Sequence, residues 1–314
     1  MIKKKSNSFL SCDRKTSVNV VIWCPDETEY DEPVAVLQIC HGMVEYIDRY
    51  DGFATYLNER GYYVTGNDHL GHGKTAHDKE DLGHFPEKHG NRCIQSDIHR
   101  LREITEKKYP NVPYYMLGHS MGSFLLRQYL MSKGEGLTGA VIMGTGDQPK
   151  LLASVGQKLC RVIARAKGWR HRSLLIDNMA FGGYNRKFEP GKTGKEWLSS
   201  DSKIPEKYVK DPFCSFRFTV GAYYQMFEGI KIAAGKKGAE AVPKHLPIFF
   251  VAGADDPVGA FGKGVKRVYE RFKKSGIKNV SLKLYEGDRH EILNETDRRQ
   301  VYEDLYRWME GLRA

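Results

Sequence analysis

Tyr114-Tyr115-Met116-Leu117-Gly118-His119-Ser120-Met121-Gly122-Ser123-Phe124-Leu125-Leu126-Arg127-Gln128-Tyr129-Leu130-Met131 is the stretch from which the rest of the chain can be read. Its first four residues are a short apolar run with the look of a buried strand, and Ser123 to Met131 reads as a helix. Between them stands Gly118-His119-Ser120-Met121-Gly122. Strand, G-x-S-x-G, helix is the context of a nucleophile elbow, a turn so sharp that the serine backbone is strained and its hydroxyl stands clear at the strand end. Gly118 and Gly122 let strand and helix approach without Cβ clashes. The pattern alone is weak, because 32 of the 314 residues are glycine and such a motif recurs by chance. It gains weight only from an acid, a base and an oxyanion donor in the right order.

Outward from that turn, the chain alternates between strands and helices. Val34 to Cys40, Gly61 to Thr65, residues 113–117 and 137–144 read as buried strands, with helices over 50–60, 93–108 and up to about 132. Residues 8–12 and 17–24 form an antiparallel hairpin at the start. After Gly146 the character changes. Residues 147–240 carry helix-like stretches, glycine turns and many aromatics, but no buried-strand run. Alternation resumes with a strand at 246–253, a helix at 261–274, a strand at 280–285 and a helix at 296–312. This predicts a mostly parallel sheet covered on both faces. The expected organisation is a sheet core over 1–146 and 241–314, with a helical cap over 147–240.

Composition sets the outer limits. Apolar residues at 40% and charged residues at 28% describe a water-soluble globular chain. No apolar run approaches the ~20 residues of a membrane span. The start, Met1-Ile2-Lys3-Lys4-Lys5, is basic with no apolar stretch behind it, so a signal peptide is not expected and a cytoplasmic location is. Six cysteines, Cys12, Cys24, Cys40, Cys93, Cys160 and Cys214, are scattered without C-x-x-C pairing and read as free, mostly buried thiols. No His/Cys/carboxylate group has metal-ligand spacing, so neither metal nor cofactor is expected. The net charge of +10 comes with no nucleic-acid motif and with basic and acidic residues interspersed. A solvated basic surface is the expectation, and nucleic acid is not an expected partner.

Serine hydroxyl needs an adjacent base to become a nucleophile. In this architecture the partners follow in the order serine, acid, histidine, and they stand beyond the C-terminal ends of strands. Two strand ends remain after the insertion. The first is Gly253-Ala254-Asp255-Asp256-Pro257-Val258-Gly259, and the second is Glu286-Gly287-Asp288-Arg289-His290-Glu291. Asp256 is preferred over Asp255, because Pro257 biases the preceding residue towards an extended conformation. His290 alone among the eleven histidines follows the final strand. His119 faces away from the base position, and His69, His72, His77, His84 and His89 fall in a polar loop region. Two backbone N–H groups complete the set, one from Met121 and one from Met43, in the loop His41-Gly42-Met43 after an earlier strand.

These residues carry a family resemblance. His41-Gly42-Met43-Val44-Glu45, Asp68-His69-Leu70-Gly71-His72-Gly73, Gly118-His119-Ser120-Met121-Gly122, Asp256-Pro257-Val258-Gly259 and Arg289-His290-Glu291 together resemble the monoacylglycerol lipase and lysophospholipase branch of the α/β-hydrolases, the serine aminopeptidase S33-like family. The likeness runs from about residue 20 to 312. It implies an α/β-hydrolase fold, a triad of Ser120, Asp256 and His290, oxyanion donors at Met43 and Met121, a cap over the site, and a small amphiphilic ester as substrate. Thr75 stands where the family usually has serine, a conservative change. The cap matches family members poorly, so substrate identity does not carry over. An esterase for small or aromatic esters and an aminopeptidase of the same fold stay open. The latter would use an acidic cap residue such as Glu189, Glu196 or Asp201 to hold a substrate amine. A non-catalytic scaffold is the reading from outside enzymology.

Two features of the cap bear on substrate. Leu151, Leu152, Val155, Leu159, Val162 and Ile163 recur at helical spacing among Lys158, Arg161, Arg165 and Lys167. The expectation is that this apolar stripe packs on the sheet core. The alternative is that it docks on an anionic membrane. Phe213, Phe216, Phe218, Tyr223, Tyr224 and Phe227 are expected mostly to form a core of the cap's own, with the lining of an acyl pocket as the alternative.

Overall fold

The computed structural model describes residues 3–26, 30 and 32–313. Eight strands form one sheet: β1 (Lys3–Leu10), β2 (Ser17–Cys24), β3 (Ala35–Cys40), β4 (Tyr62–Asn67), β5 (Tyr114–His119), β6 (Gly139–Met143), β7 (Ile248–Gly253) and β8 (Val280–Tyr285). Their order is β1-β2-β4-β3-β5-β6-β7-β8. β2 is antiparallel to β1 and β4, and every other neighbouring pair is parallel. β1 starts earlier than its sequence suggests. It is exposed along nearly its whole length, and its lysines suit an edge that must not recruit another strand.

Alternation along the strands distributes the core. On β5, Tyr114 and Met116 face one side while Tyr115 and Leu117 face the other. The second face is covered by α1 (Asp51–Asn58) and α10 (Arg298–Glu310) through Phe53, Leu57, Val301 and Leu305. The first is covered by α2 (Gly90–Lys108), α3 (Met121–Lys133) and α9 (Lys263–Lys274). The one polar residue inside β3, Gln38, is fully buried and satisfied, donating to the Ile98 carbonyl at 2.9 Å and accepting from the Tyr114 hydroxyl at 2.6 Å.

Between β6 and β7 the described residues are helical: α4 (Lys150–Lys167), α5 (Leu174–Phe181), α6 (Lys203–Lys210), α7 (Val220–Ala233) and α8 (Lys236–Glu240). The packing expected of α4 occurs only at Leu159 and Ile163, which are half-buried against the core shared with the sheet. Ala153, Gly156, Gln157, Cys160 and Ala164 are its buried positions, while Leu151, Leu152, Val155 and Val162 are 77%, 50%, 49% and 61% exposed. The reason is close approach to α7: a Cβ on Gly156 would stand 2.7 Å from the Phe227 ring. Apart from Gln157, which donates to the Tyr224 carbonyl of α7, the side chains in that seam are small, and Leu151 and Leu152 turn outward. The aromatic group also departs from expectation. Phe218, Tyr223 and Phe227 join the same buried cluster as Met116 and Ile142 of the sheet, so the insertion shares its core with the sheet.

Candidate active site

The sheet order reverses between β3 and β5, and the crevice at their C-terminal ends is where α/β sheets place ligands. Ser120 stands there with φ 52° and ψ −119°, a conformation costing a non-glycine residue on the order of 1–3 kcal/mol. The surroundings hold it. The Ser120 N–H donates to the Met143 carbonyl at 3.1 Å, and the Ser120 carbonyl accepts from the Ser123 N–H at 2.9 Å and its hydroxyl at 2.6 Å. Both flanking glycines are steric necessities. A Cβ on Gly122 would overlap the Cys40 carbonyl oxygen, and one on Gly118 would overlap the Gly122 carbonyl oxygen. Met121 opens α3, so its N–H has no carbonyl within the helix to bond.

Asp256 follows β7 and is fully buried. One carboxylate oxygen accepts from the Val258 N–H at 2.8 Å, closing the turn around Pro257, and the other lies 2.9 Å from His290 Nδ1. An ionised carboxylate only accepts, so His290 Nδ1 is the donor in this bond. Asp255 instead pairs at the surface with Lys187 at 2.6 Å. The ring of His290 is flanked by Trp197 at 5.0 Å and His119 at 4.8 Å between centroids.

The loop after β3 is fixed by a buried ionic lattice. One oxygen of Glu45 accepts from the Gly42 N–H at 2.5 Å, the Tyr50 hydroxyl at 3.0 Å and His119 Nδ1 at 3.0 Å. Its other oxygen meets Arg49 at 3.0 Å, and Arg49 grips Glu291 with two bonds of 2.7 and 2.6 Å. His119 Nε2 lies 3.2 Å from the His290 carbonyl. Both partners of His119 are acceptors, an arrangement that favours the doubly protonated ring. Burial would lower its pKa, but the hydrogen bond and charge of Glu45 outweigh that and raise it. Burial would likewise lift the Glu45 carboxyl, yet His119 and Arg49 hold it well below the usual carboxylate range. Glu45, Arg49, His119 and Glu291 thus tie the loop carrying Met43 to the loop carrying His290.

His69 and His72 do not belong to a polar surface loop. They are 1% and 0% exposed, and their rings lie 4.1 and 5.1 Å from that of His41. Burial lowers all three pKa values, that of His72 to about 3. His41 Nε2 accepts from the His69 N–H at 2.9 Å, so a neutral imidazole props the start of the Gly42 loop.

Ser120 and Met43 stand between two cavities. One, of about 360 Å³, also meets Met121 and is walled by Phe124, Leu125, Ile94, Phe227 and Ile230, with Leu152 and Met179 of the insertion at its edge. The other, of about 650 Å³, contains His119, His290 and Trp197 together with charged residues. Glu189, Glu196 and Asp201 line neither cavity. Glu196 is engaged by Thr193 and Asn185.

Residues 31–297 match the family described as serine aminopeptidase, S33. The chain is similar to a monoglyceride lipase homolog of Monkeypox virus, 25% identical over 93% of this chain and 95% of the viral protein. It is similar to a monoacylglycerol lipase of Mycolicibacterium smegmatis, 24% identical over 92% of this chain and 91% of that one. Among solved structures, a thermostable carboxyl esterase from Bacillus coagulans in complex with glycerol superposes with a TM-score of 0.90 at 34% identity, covering 99% of both chains.

Proposed function

The chain belongs to the serine aminopeptidase S33 family of α/β-hydrolases, and on that premise we propose that it is a serine carboxylic-ester hydrolase for lipid-like monoesters of the monoacylglycerol or lysophospholipid type. The observation that carries this reading is the position of Ser120 and Met43 on the boundary between an apolar cavity and a polar one that contains His290. His290 takes the proton of Ser120 as Oγ attacks the ester carbonyl. Asp256 holds the imidazole tautomer and stabilises the imidazolium. The Met43 and Met121 N–H groups receive the oxyanion. The alcohol leaves with the proton from His290, and water repeats the cycle on the acyl-enzyme. A general acid protonates the group that departs, so the alcohol occupies the cavity containing His290 and the acyl chain occupies the apolar one.

Residues 147–240 act as a cap over both cavities. The exposed Leu151, Leu152, Val155 and Val162, with Lys158, Arg161, Arg165 and Lys167 beside them, suit α4 to peripheral contact with an anionic membrane. Among the described residues no helix is long and apolar enough to cross a membrane. Glu189, Glu196 and Asp201 stand away from the cavities, and the one acidic residue of the insertion at the polar cavity, Asp177, is engaged by Tyr223 and Arg217, which favours the ester reading.

A p-nitrophenyl ester series from acetyl to palmitoyl, with Ser120→Ala as control, tests this. Activity that peaks at medium or long chains and drops by roughly four to six orders of magnitude in the variant supports it. A peak at acetyl removes the lipid reading, and equal turnover by both proteins removes Ser120 as nucleophile. Salt-sensitive binding to anionic vesicles tests the contact through α4, and indifference to anionic lipid rejects it.

A further inference from the structure

The polar cavity has an uneven charge balance. Its lining includes eight charged side chains besides its histidines: Glu45, Lys79, Glu80, Arg172, Asp177, Lys195, Arg217 and Glu291. Glu45 and Glu291 are consumed by Arg49 and His119. Lys79 and Glu80 are exposed at the rim and offset one another. What remains inside is Arg172, Lys195 and Arg217 against Asp177 alone. Asp177 is itself shared, accepting from the Tyr223 hydroxyl at 2.5 Å and meeting Arg217 at 3.4 Å. The cavity therefore carries an excess of about two positive charges.

Those cations are held in place and only partly neutralised. Arg172 is braced on the backbone carbonyls of Arg217 and Glu80, which fix its direction, and the carboxylates of Glu80 and Asp81 offset only part of its charge. Arg217 Nε is buried and makes no hydrogen bond. The Lys195 ammonium has no hydrogen-bond or ion-pair partner among the described residues. Burial lowers its pKa, and Arg217 adds to that against the pull of Asp177. Three cations at one wall against one carboxylate, with the Lys195 ammonium unpartnered among the described residues, form a receptor for an anion with several acceptor oxygens. Lys195 lies two residues before Trp197, whose ring packs on His290, so the cationic wall faces the space the departing alcohol occupies.

We propose that the cavity beside His290 binds a phosphate-bearing alcohol, held by Lys195, Arg217 and Arg172, so that the substrate is the acyl monoester of a glycerol phosphate. This rests on the serine-ester reading above and sharpens it. The reaction is unchanged in kind. The bond between acyl carbon and ester oxygen breaks, the alcohol oxygen takes the proton from His290 and departs as glycerol phosphate, and water then releases the fatty acid.

The test compares 1-hexanoylglycerol with 1-hexanoylglycerol 3-phosphate, both monomeric in solution, so that attraction to a charged lipid surface plays no part. The intact enzyme is expected to favour the phosphate ester by tenfold or more in kcat/KM, through KM. Lys195→Met should remove most of that preference by raising KM for the phosphate ester, and Arg217→Gln should do the same if it folds. Equal kcat/KM for the two esters, or an unaltered preference in Lys195→Met, overturns the proposal. Calorimetry of sn-glycerol 3-phosphate and of glycerol with Ser120→Ala reads the site without turnover. Preferential binding of the phosphate supports the anion site even if no ester is cleaved, in which case the hydrolase reading alone has failed. No preference overturns the site while leaving the hydrolase reading standing.

Discussion

Replacing Glu45 by glutamine tests whether the buried ionic lattice sets the shape of the site. The carboxylate makes four short contacts, to Gly42, Tyr50, His119 and Arg49. A glutamine oxygen can keep the first three as neutral bonds, each weaker by ~1 kcal/mol than its charge-assisted form. Its amide then confronts Arg49 with a donor where an acceptor stood. The sum is about 4 kcal/mol, within the usual range for breaking a buried ion pair. With ~2.1 cal/mol/K of unfolding entropy per residue, that loss lowers Tm by roughly 6 °C. The pH dependence identifies the cause. The pKa of His119 is raised in the folded state, so its contribution is fully present below the unfolded pKa of ~6.5 and is lost as pH rises through the folded value. The stability gap between the two proteins should therefore be widest below pH 6.5 and narrow above it. Because the bond that anchors Gly42 beside Ser120 is weakened, kcat should fall about tenfold to a hundredfold. Melts by circular dichroism from pH 5.5 to 9, with ester turnover alongside, read both effects. Equal melting at pH 6, or a gap that widens with pH, refutes the reasoning.

Gly122→Ala gains ~1 kcal/mol of helix propensity but drives a methyl into the Cys40 carbonyl, and overpacking of this kind costs about 3 kcal/mol. A lowered urea midpoint with lost activity is expected, and a stabilised, active variant would contradict the packing. Acid should destabilise the protein early, because His41, His69 and His72 stay neutral in the folded chain while the unfolded chain takes up protons below pH ~6.5. Each contributes a slope of up to ~1.4 kcal/mol per pH unit, extending down to about pH 3 for His72, and unchanged urea stability between pH 7 and 5 would count against it. Arg127 binds Thr145, Gly146 and Ala233 at 3.2, 3.1 and 3.0 Å, stapling both roots of the insertion to α3. Arg127→Met should speed hydrogen exchange around 145–150 and 230–236 and leave α1 and α10 unchanged.

The sheet was legible because strands buried on both faces are short apolar runs, and the strand ends then restricted where an acid and a histidine could stand. The preference for Asp256 over Asp255 followed from one proline; in the fold Asp256 meets His290, and Asp255 meets Lys187. The lattice of Glu45, Arg49 and Glu291 was not legible. Its members sit inside quoted motifs, but Arg49 and Glu291 are 242 positions apart, and no local pattern announces such a pair. His69 and His72 misled for a related reason. Their neighbours in sequence are polar, and only the folded loop puts them beneath His41. On α4 the helical periodicity was legible but only Leu159 and Ile163 of the stripe turn inward, since hydropathy does not report that a neighbouring helix comes close enough to favour Ala153, Gly156, Cys160 and Ala164 at the seam.

That contrast says where chemistry and selectivity are written. Groups that would make and break the ester bond stand at strand ends, where a few local residues fix geometry. Groups that would choose the ester come largely from the insertion: Met179, Phe181, Met226 and Phe227 on the apolar side, Arg172, Lys195, Trp197 and Arg217 on the polar side. The insertion is nonetheless no separable lid, since Phe218, Tyr223 and Phe227 complete the core beneath α2 and α3, and Arg127 pins its roots. Changing selectivity therefore means changing residues that face the cavities while leaving the seam between α4 and α7 intact. Lys195 meets that condition, because it stands at the cavity wall and belongs to no buried cluster.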